Sequence, residues 1–532
     1  MVDLSFTIAT LARRGLLSPG SPTKVMRQLA ALRRFGYGLG GELRSAAARD
    51  PDRLVIIDDR KLPAPPDGSA GPMPGRLTYG ELLARAERLA AALHGACGVE
   101  PTDRIGLMCR NHGGLIEGMT AASLLGADAV LVNTGLSPAQ LAVVAQEQQL
   151  RILIHDSEFA EHAVALPRRV ERLDESGVED VLATAPAGNA RRPDREGRTI
   201  VLTSGTTGAP KGARRRTPAG FAPLASIISR IPVYARSRML IAAPVFHTWG
   251  LAALQVGLAL RATIVLQRRF EPADALSAVI EHECTSMFAV PVMLQRLLDT
   301  PPRPTPLRVV AVSGSALPGG LATRFMDAYG DVLYNLYGST EASWASIATP
   351  EDLRRAPTTA GRPPHGTRIA IVSQAGREMA EGQTGRIFVG NEMLFEGYTN
   401  GAGRETLDGL LATGDLGHLD SEGLLFVDGR EDDMIVSGGE NVFPAAVENL
   451  LAGLPQIREV AVVGVPDPEF GQRLAAWIAL VPGEVLDPAA VREYVRRHLA
   501  RFAVPRDVRF VPALPRNATG KVVPRDLPWD GA

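Results

Sequence analysis

Apolar and polar positions along residues 77–154 follow two periods in turn, one typical of helices and one of buried strands. Apolar residues recur at steps of four and three from Leu82, and Thr78 with Glu81 forms a capping-box pattern just before them. Short apolar runs alternate with these helical patterns. Strands are predicted at 105–108, 129–132 and 151–154, and helices at 82–93, at 115–125 and from 137. This alternation indicates a parallel sheet covered by helices.

The pattern changes twice along the rest of the chain. A second α/β run covers about 199–345 after a Pro- and Gly-rich surface loop at 184–197, and 360–430 is richer in β-type segments and glycine turns. Beyond 430, helices are predicted at 445–451 and 489–499, and strands at 459–465, 475–481 and 508–511. The predicted fold class is therefore α/β, with a large N-terminal domain of parallel βαβ subdomains plus a β-rich subdomain, followed by a small α+β C-terminal domain.

The N-terminus is strongly basic. Six lysines and arginines face a single acidic residue, Asp3, within residues 1–40. Residues 1–45 are interpreted as a basic helical segment that lies on its own domain, with a peripheral membrane contact through 1–40 as the alternative. No apolar run approaches the roughly 18 residues of a membrane span. Arg13 and Arg14 interrupt the apolar stretch that a signal peptide would need.

Composition narrows the function classes. The formal net charge is −1, so no overall field favours nucleic acid, and the apolar fraction of 45% is ordinary for a globular protein. The three cysteines, Cys97, Cys109 and Cys284, form no metal-type pair and are expected to be buried and reduced, which suits a cytoplasmic location.

Lysine is scarce in this chain, because only four of the 57 basic residues are lysines: Lys24, Lys61, Lys211 and Lys521. Arginine serves wherever a generic positive charge is enough. The lysines are therefore candidates for places that need a compact ammonium group.

Lys211 belongs to the strongest motif, the segment 202–212 directly after an apolar strand. Its glycines let backbone amides approach an anion, and its hydroxyl groups and the lysine add further donors. The predicted phosphate-binding residues are Thr203, Ser204, Gly205, Thr206, Thr207, Gly208 and Lys211. The loop is not a Walker A motif, which ends in Gly-Lys-Ser/Thr.

This loop resembles the signature loop of the adenylate-forming superfamily, which includes acyl-CoA synthetases, firefly luciferase and the adenylation domains of peptide synthetases. Further motifs follow in the family's order across about residues 50–525. The overall likeness is to bacterial medium- and long-chain fatty acid–CoA ligases. The resemblance implies a large AMP-binding domain over 46–431 and a small domain over 432–532 that rotates about Asp432.

The resemblance also implies roles for individual nucleotide-site residues. Gly314, Ser315 and Ala316 would border adenine, Asn335 would bond its amine, Tyr337 would stack on the ring beside Gly338, and Thr340 would contact the α-phosphate. Glu341 and Thr206 would hold Mg²⁺, a hard cation that prefers oxygen ligands. Asp415 would accept both ribose hydroxyls, and Arg430 would bind ribose or phosphate.

The acyl and coenzyme A sites are implied in the same way. His247 would line the acyl pocket at a place where peptide-synthetase domains usually carry an aspartate for the substrate's amino group, so amino acids are disfavoured. Gly338 replaces the tryptophan of acetyl-CoA synthetases, which indicates an acid larger than acetate. Gly438 and Gly439 would leave room for pantetheine, and Lys521 would bridge the substrate carboxylate and the α-phosphate.

The predicted activity is that of an ATP- and Mg²⁺-dependent ligase, which converts a fatty acid to acyl-AMP and then to its coenzyme A thioester. Val436 and Asn441 stand where some branches carry lysine or arginine, so no polar residue is assigned to the thioester step. The alternatives are an aryl acid as substrate, an acyl carrier protein as acceptor, a light-emitting oxidase, and a nucleotide-binding module without catalysis.

Overall fold

The computed structural model of the chain describes residues 3–17, 21–58, 75–184, 195–203, 211–437, 440–467 and 471–529. Three helices come first: α1 (Leu4–Arg13), α2 (Pro22–Phe35) and α3 (Leu39–Arg49). The first of them packs on the body of the protein, because Arg14 Nε donates to the Ile228 carbonyl at 2.9 Å and Phe6 stacks on His365. Its outer face leaves Leu4 72% and Ile8 50% exposed.

The next segment builds a mainly parallel six-stranded sheet. Its elements are β1 (Leu54–Ile57), β2 (Arg76–Thr78), α4 (Tyr79–Gly95), β3 (Arg104–Met108), α5 (Gly113–Leu125), β4 (Asp128–Leu131), α6 (Pro138–Glu147), β5 (Leu150–His155), α7 (Ala160–Val164), β6 (Glu171–Leu173), α8 (Glu175–Thr184), β7 (Thr199–Thr203) and β8 (Lys211–Arg214). The strand order is β6-β5-β3-β4-β7-β8, while β1 and β2 join the next sheet. The predicted capping box is confirmed, since the Thr78 hydroxyl accepts from Glu81 N and the Glu81 carboxylate accepts from Thr78 N.

The second α/β run forms an eight-stranded sheet of order β14-β13-β12-β11-β9-β10-β1-β2. Its elements are α9 (Ala222–Arg230), β9 (Arg238–Ile241), α10 (Thr248–Ala259), β10 (Thr263–Leu266), α11 (Pro272–Glu281), β11 (Ser286–Ala289), α12 (Pro291–Leu298), β12 (Val309–Val312), α13 (Gly319–Tyr329), β13 (Leu333–Tyr337), β14 (Ser346–Ala348) and α14 (Pro350–Arg355). The main core lies between the two sheets. Helix α10 packs on β9 and β10, α5 packs on β3 and β4, and α3 contacts both helices.

Two smaller sheets complete the chain, as the sequence predicts. The β-rich part contains β15 (Arg368–Val372), β16 (Gly385–Gly390), β17 (Thr406–Leu407), β18 (Leu410–Leu419) and β19 (Leu425–Arg430), and the C-terminal part contains β20 (Ile435–Ser437), β21 (Glu440–Val442), α15 (Pro444–Ala452), β22 (Ile457–Asp467), β23 (Gly471–Leu480), α16 (Pro488–His498) and β24 (Asp507–Phe510). An ion pair of 2.6 Å between Arg458 and Asp299 fastens the C-terminal part to α12. Among the described residues no helix is long and apolar enough to cross a membrane.

Candidate active site

The predicted phosphate loop joins β7 to β8. These strands form an antiparallel hairpin in which Thr203 pairs with Lys211, and the Thr203 hydroxyl donates to the Lys211 carbonyl at 3.2 Å. The two described ends of the loop therefore stand side by side. The predicted residues Ser204, Gly205, Thr206, Thr207 and Gly208 lie outside the described residues.

The predicted adenine residues follow two neighbouring parallel strands. Val312 of β12 pairs with Asn335 of β13, so the segment with Gly314, Ser315 and Ala316 begins beside the end of β13. Gly314 has φ +97°, a conformation that glycine adopts without strain. Carboxyl ends of parallel strands meet at one edge of the sheet, which is where α/β proteins bind nucleotides.

Glu341 is buried directly after this edge, and its carboxylate is engaged by a tyrosine. The Tyr398 hydroxyl donates to Glu341 Oε1 at 2.6 Å, and Arg404 Nη2 lies 3.8 Å from the same oxygen. Glu341 offers Oε2 as an oxygen ligand, which fits the hard Mg²⁺ ion that the sequence predicts here. The neighbouring Thr340 is held by its hydroxyl contact of 2.8 Å with the Thr248 hydroxyl.

Asp415 and Arg430 face each other across two antiparallel strands. They are direct partners in the ladder between β18 and β19, with Arg430 Nη1 3.8 Å from Asp415 Oδ1. The Tyr337 hydroxyl donates to Asp415 Oδ2 at 2.6 Å. Burial raises the pKa of Asp415, and this hydrogen bond opposes the rise. Arg430 Nε is buried and has no hydrogen-bond partner in the described part of the chain.

His247 begins helix α10, and a buried amide holds the loop before it. Asn111 Nδ2 donates to the carbonyls of Ile241 and Ala243, and Asn111 Oδ1 accepts from Val245 N at 2.8 Å. Burial lowers the pKa of His247 to about 4, and the positive charge of Lys521 adds to the effect. The imidazole is therefore neutral at pH 7 and brings no charge to the site.

Lys521 is carried by a tight loop of the C-terminal part. Asn517 Oδ1 accepts from the backbone amides of Thr519 and Lys521, both at 3.0 Å, and this closes the loop. A Cβ placed on Gly520 would lie 2.8 Å from Val292, and one on Gly135 would lie 2.9 Å from Ala518, so the loop sits tightly against the large domain. This contact brings Lys521 to the site.

Segments that are distant in sequence lie close enough at this site for their charges to act on one another. Burial lowers the pKa of Lys521, the cation of Arg430 lowers it further, and Asp415 and Glu341 oppose both effects. The structure thus brings together His247, Glu341, Asp415, Arg430 and Lys521, although 274 positions of sequence separate the first from the last. Gly438 and Gly439, predicted at the coenzyme A site, lie outside the described residues.

Gly338 departs from the reasoning applied to it. The sequence predicts that Gly338, which has no side chain, leaves the acyl pocket open. A Cβ at this position would instead lie 2.3 Å from the Ser343 carbonyl oxygen and 2.8 Å from Trp344 Cα. Backbone fills the space beside Gly338, so glycine is required there for close packing, and the residue gives no measure of acid length.

Three residues at the site escaped the sequence reasoning. Tyr398 and Arg404 touch Glu341, and Arg215 is buried behind it with Nη1 donating to the Thr340 carbonyl at 3.0 Å. Burial lowers the pKa of Arg215 to about 10, and Glu341 opposes this. None of the three lies inside a quoted motif. The sequence offers one indication, which is that Tyr398 directly follows a glycine, Gly397. In the structure Gly397 has φ +106°, as expected for a turn.

A second buried cluster looks like a metal site by composition, since Cys109, His112 and Asp156 lie close together. Hydrogen bonds already engage the ring nitrogens of His112 and a carboxylate oxygen of Asp156, which are atoms that could bind a metal. His112 Nδ1 accepts from Gly114 N at 3.1 Å, so the proton is on Nε2, which donates to Asp156 Oδ1 at 2.7 Å. The imidazole caps α5, and this arrangement explains the cluster without a metal. All three cysteines are buried and free.

Comparison with known proteins places these residues in a family. The model of the AMP-binding enzyme matches residues 43–399, and that of the AMP-binding enzyme C-terminal domain matches 446–521. A feruloyl-CoA synthase of Amycolatopsis sp is 32% identical over 464 residues, which are 84% of this chain and 92% of that protein. A long-chain-fatty-acid–CoA ligase of Mycobacterium tuberculosis is 30% identical over 470 residues, 84% of this chain and 92% of its own.

Solved structures agree. The o-succinylbenzoate CoA synthetase of Bacillus subtilis, in complex with its acyl-adenylate intermediate, has a TM-score of 0.78 and 29% identity, covering 91% of this chain and 97% of the other. The same enzyme in complex with ATP and magnesium ion has a TM-score of 0.77 and 29% identity, covering 91% and 98%. The predicted fold class, with a large N-terminal and a small C-terminal domain, is confirmed by these neighbours.

Proposed function

This chain belongs to the family of AMP-binding enzymes, and we propose from that membership and from the site that it is an AMP-forming acid–CoA ligase with ATP, Mg²⁺ and coenzyme A as co-substrates. The observation that carries the proposal is the position of Lys521 beside Asp415, Glu341 and His247. A nucleotide-binding module without catalysis would not need a cation from a second domain at this point.

The first step is attack by an oxygen of the substrate carboxylate on the α-phosphorus of ATP. The bond from the α-phosphorus to the bridging oxygen breaks, and pyrophosphate leaves with the electron pair. The carboxylate needs no general base, so the barrier is mainly one of bringing anions together. Lys211 and Lys521 would stabilise this charge, and Asp415 would hold the ribose. Mg²⁺, when bound at Glu341, would neutralise phosphate charge.

The second step is attack by the thiol sulfur of coenzyme A on the acyl-AMP carbonyl. The carbon–oxygen bond to AMP breaks, AMP leaves with the electron pair, and the thiol proton passes to solvent. In the present arrangement the Lys521 loop is seated against Gly135 and Val292 of the large domain. We propose that this is the adenylating arrangement, and that a turn about Asp432 exchanges this loop for the segment that contains Gly438 and Gly439. Motions of this kind are a common way to run two steps in one site.

The substrate would be a hydrophobic acid without an ammonium group. His247 is neutral and lies in the positive field of Lys521, so an ammonium would meet repulsion and no counter-charge at these residues. A fatty acid stays our first candidate. An aryl acid is the second, and it is favoured by the names of two relatives, feruloyl-CoA synthase and o-succinylbenzoate CoA synthetase.

A panel of acids tests both the proposed ligase activity and the proposed class of acid. Pyrophosphate release and thioester formation would be measured with acetate, fatty acids of increasing length, ferulate and o-succinylbenzoate. We expect turnover of at least one fatty or aryl acid and little with acetate. Acid-dependent pyrophosphate release without a thioester would favour a carrier protein as acceptor. No release with any acid would contradict the ligase.

The predicted membrane contact also stays a proposal. Although α1 packs on the large domain, Leu4 is 72%, Ile8 50%, Met26 69% and Leu29 55% exposed, and the neighbouring side chains include several arginines. Exposed apolar groups beside cations suit an anionic lipid surface.

A further inference from the structure

Arg404 lies in the segment between Tyr398 and β17, outside every motif that the sequence analysis quoted. Its Nη1 donates to the Thr413 carbonyl at 3.3 Å, and its Nη2 is 3.8 Å from Glu341 Oε1. Its side chain is 29% exposed. The guanidinium therefore reaches the carboxylate predicted to hold the metal and remains open to the site.

The Glu341 carboxylate is not hydrogen-bonded to the Arg404 guanidinium. Charge-assisted N–H···O bonds have lengths of about 2.7–2.9 Å, whereas Arg404 Nη2 and Glu341 Oε1 are 3.8 Å apart. Tyr398 takes the closer position on that oxygen, at 2.6 Å. Arg404 has a second hydrogen bond, with the side chain of Tyr398. A guanidinium has five N–H donors, so these two bonds leave others for a ligand.

Lys211 approaches the same tyrosine from the phosphate loop. Its Nζ is 5.7 Å from the centroid of the Tyr398 ring. Tyr398 thus stands between Lys211 and the carboxylate that Arg404 approaches. Lys211 and Glu341 would mark the polyphosphate end of the site, and Asp415 and Arg430 would mark the ribose end. Arg404 lies between the two ends, since it approaches Glu341 and also bonds to the Thr413 carbonyl.

Gly414 makes room for the guanidinium. A Cβ at this position would lie 2.9 Å from Arg404 Nη1 and 3.4 Å from Arg430 Nη2. Two like-charged groups therefore flank one bare backbone position. In the described part of the site, four cations lie around the carboxylates of Glu341 and Asp415, and Asp432 is 3.9 Å from one of them, Arg430. The four cations are Lys211, Arg404, Arg430 and Lys521, and their excess over carboxylates favours a bound polyanion.

We propose that Arg404 is a further phosphate-binding residue, which contacts the β- and γ-phosphates of ATP and the pyrophosphate that leaves. This inference rests on the proposed function. A planar guanidinium matches phosphate oxygens with two parallel bonds, which a tyrosine or lysine at this place would not provide. Arg404 would thereby support release of the leaving group while Lys521 acts at the α-phosphate.

A comparison of the Kd values for ATP and AMP distinguishes contacts to the β- and γ-phosphates from contacts to the rest of the nucleotide. Calorimetry would measure Kd for ATP with Mg²⁺ and for AMP in the wild-type protein, Arg404→Met, Arg404→Lys and Arg368→Met. Arg368 is an exposed arginine at the start of β15 in the same β-rich part, so it is a matched control. We expect Arg404→Met to raise Kd for ATP at least tenfold and to leave Kd for AMP within twofold. Arg404→Lys should fall between, and Arg368→Met should match the wild type.

The other outcomes are distinct. An equal loss of ATP and AMP binding in Arg404→Met would mean that Arg404 only positions Asp415 and Glu341, and unchanged ATP binding would mean that it touches no phosphate; either overturns the inference. Thermal unfolding of each variant shows whether it is folded, and Arg404→Lys serves if the methionine variant is not. If the wild-type protein binds neither nucleotide, the proposed function itself fails.

Discussion

Replacing Lys521 with alanine should separate the two half-reactions. In the proposed mechanism the ammonium group is what the C-terminal part contributes to adenylation. Asn517 closes the loop that carries it, and the loop packs on Gly135. Removing the side chain leaves that loop framework in place. The effect should therefore be on the chemistry rather than on the fold.

The magnitude follows from the charges at the site. Two unit charges about 4 Å apart attract by about 4 kcal/mol at an effective dielectric of about 20. Lys521 is an exposed residue, although the buried surroundings of its ammonium lower its pKa. Screening by solvent therefore reduces the loss of transition-state stabilisation to about 3 kcal/mol, or about a hundredfold in rate. Thioester formation from ready-made acyl-AMP and coenzyme A should be nearly normal, because another face of the small domain would then occupy the site.

Single-turnover assays measure each half-reaction, and the histidine supplies a readout independent of catalysis. Because the cation of Lys521 contributes to the low pKa of His247, Lys521→Ala should raise that pKa from about 4. The imidazole proton resonances report it by NMR titration. Arg525→Ala is a control, since this side chain is 83% exposed a few positions further along the chain.

Two results would refute this reasoning. If Lys521→Ala slows adenylation and thioester formation equally, the two-arrangement mechanism is wrong for this protein. If the pKa of His247 does not move, Lys521 is not at the site in solution, and the contact between the loop and the large domain does not persist.

Three further changes test other parts of the proposal. Asp432→Pro fixes φ at the proposed hinge, so it should slow thioester formation from acyl-AMP more than adenylation, and equal slowing of both would argue against a turn there. His247 stays neutral in the fold while the unfolded chain binds a proton below about pH 6.5, so stability should be lost as pH falls from 6.5 to about 4. Urea unfolding should show His247→Gln losing about 2 kcal/mol less over that range, and equal losses would contradict the pKa. Leu4→Ser with Ile8→Ser should weaken sedimentation with anionic vesicles in low salt while Val485→Ser, an exposed control at 86%, does not; unchanged sedimentation would mean that α1 only packs on the domain.

Much of the architecture could be predicted because local signals and tertiary packing agree. Helix α6 begins where Ser137 and Gln140 form a capping box, as their spacing predicts. Helix α5 begins at Gly113, two residues before the predicted 115, because the His112 ring accepts from Gly114 N and caps the helix. A histidine cap depends on the tautomer that Asp156 fixes from just after β5, so no local sequence pattern reveals it.

The site also contains residues that local motifs reveal and residues that only tertiary contacts reveal. Asp415 and Arg430 stand in motifs and could be named from the sequence, and the antiparallel register of β18 and β19 then makes them partners. Arg404 could not be named, because its place beside Glu341 arises from contact between segments 63 positions apart. The reasoning on Gly338 was wrong for a similar cause, since the backbone that fills its space comes from the turn that follows.

The use of lysine in this chain is consistent with the chemistry proposed. Of four lysines, Lys211 and Lys521 meet at one site from different domains, while the neighbouring positions that contact backbone and carboxylates are arginines. Arg404 and Arg430 have planar forks, which suit fixed bonds to phosphate and ribose oxygens. Lys521 instead lies near His247 on a loop packed against Val292. In the proposed mechanism it would leave the site for the second step. A compact ammonium on an unbranched stem can stabilise a developing charge without bidentate bonds that would have to be broken on departure. In the proposed mechanism the cation that the C-terminal part brings would therefore be a lysine, and Arg404 and Arg430 would stay in place. Lys211 would stay as well, so this argument accounts for Lys521 alone.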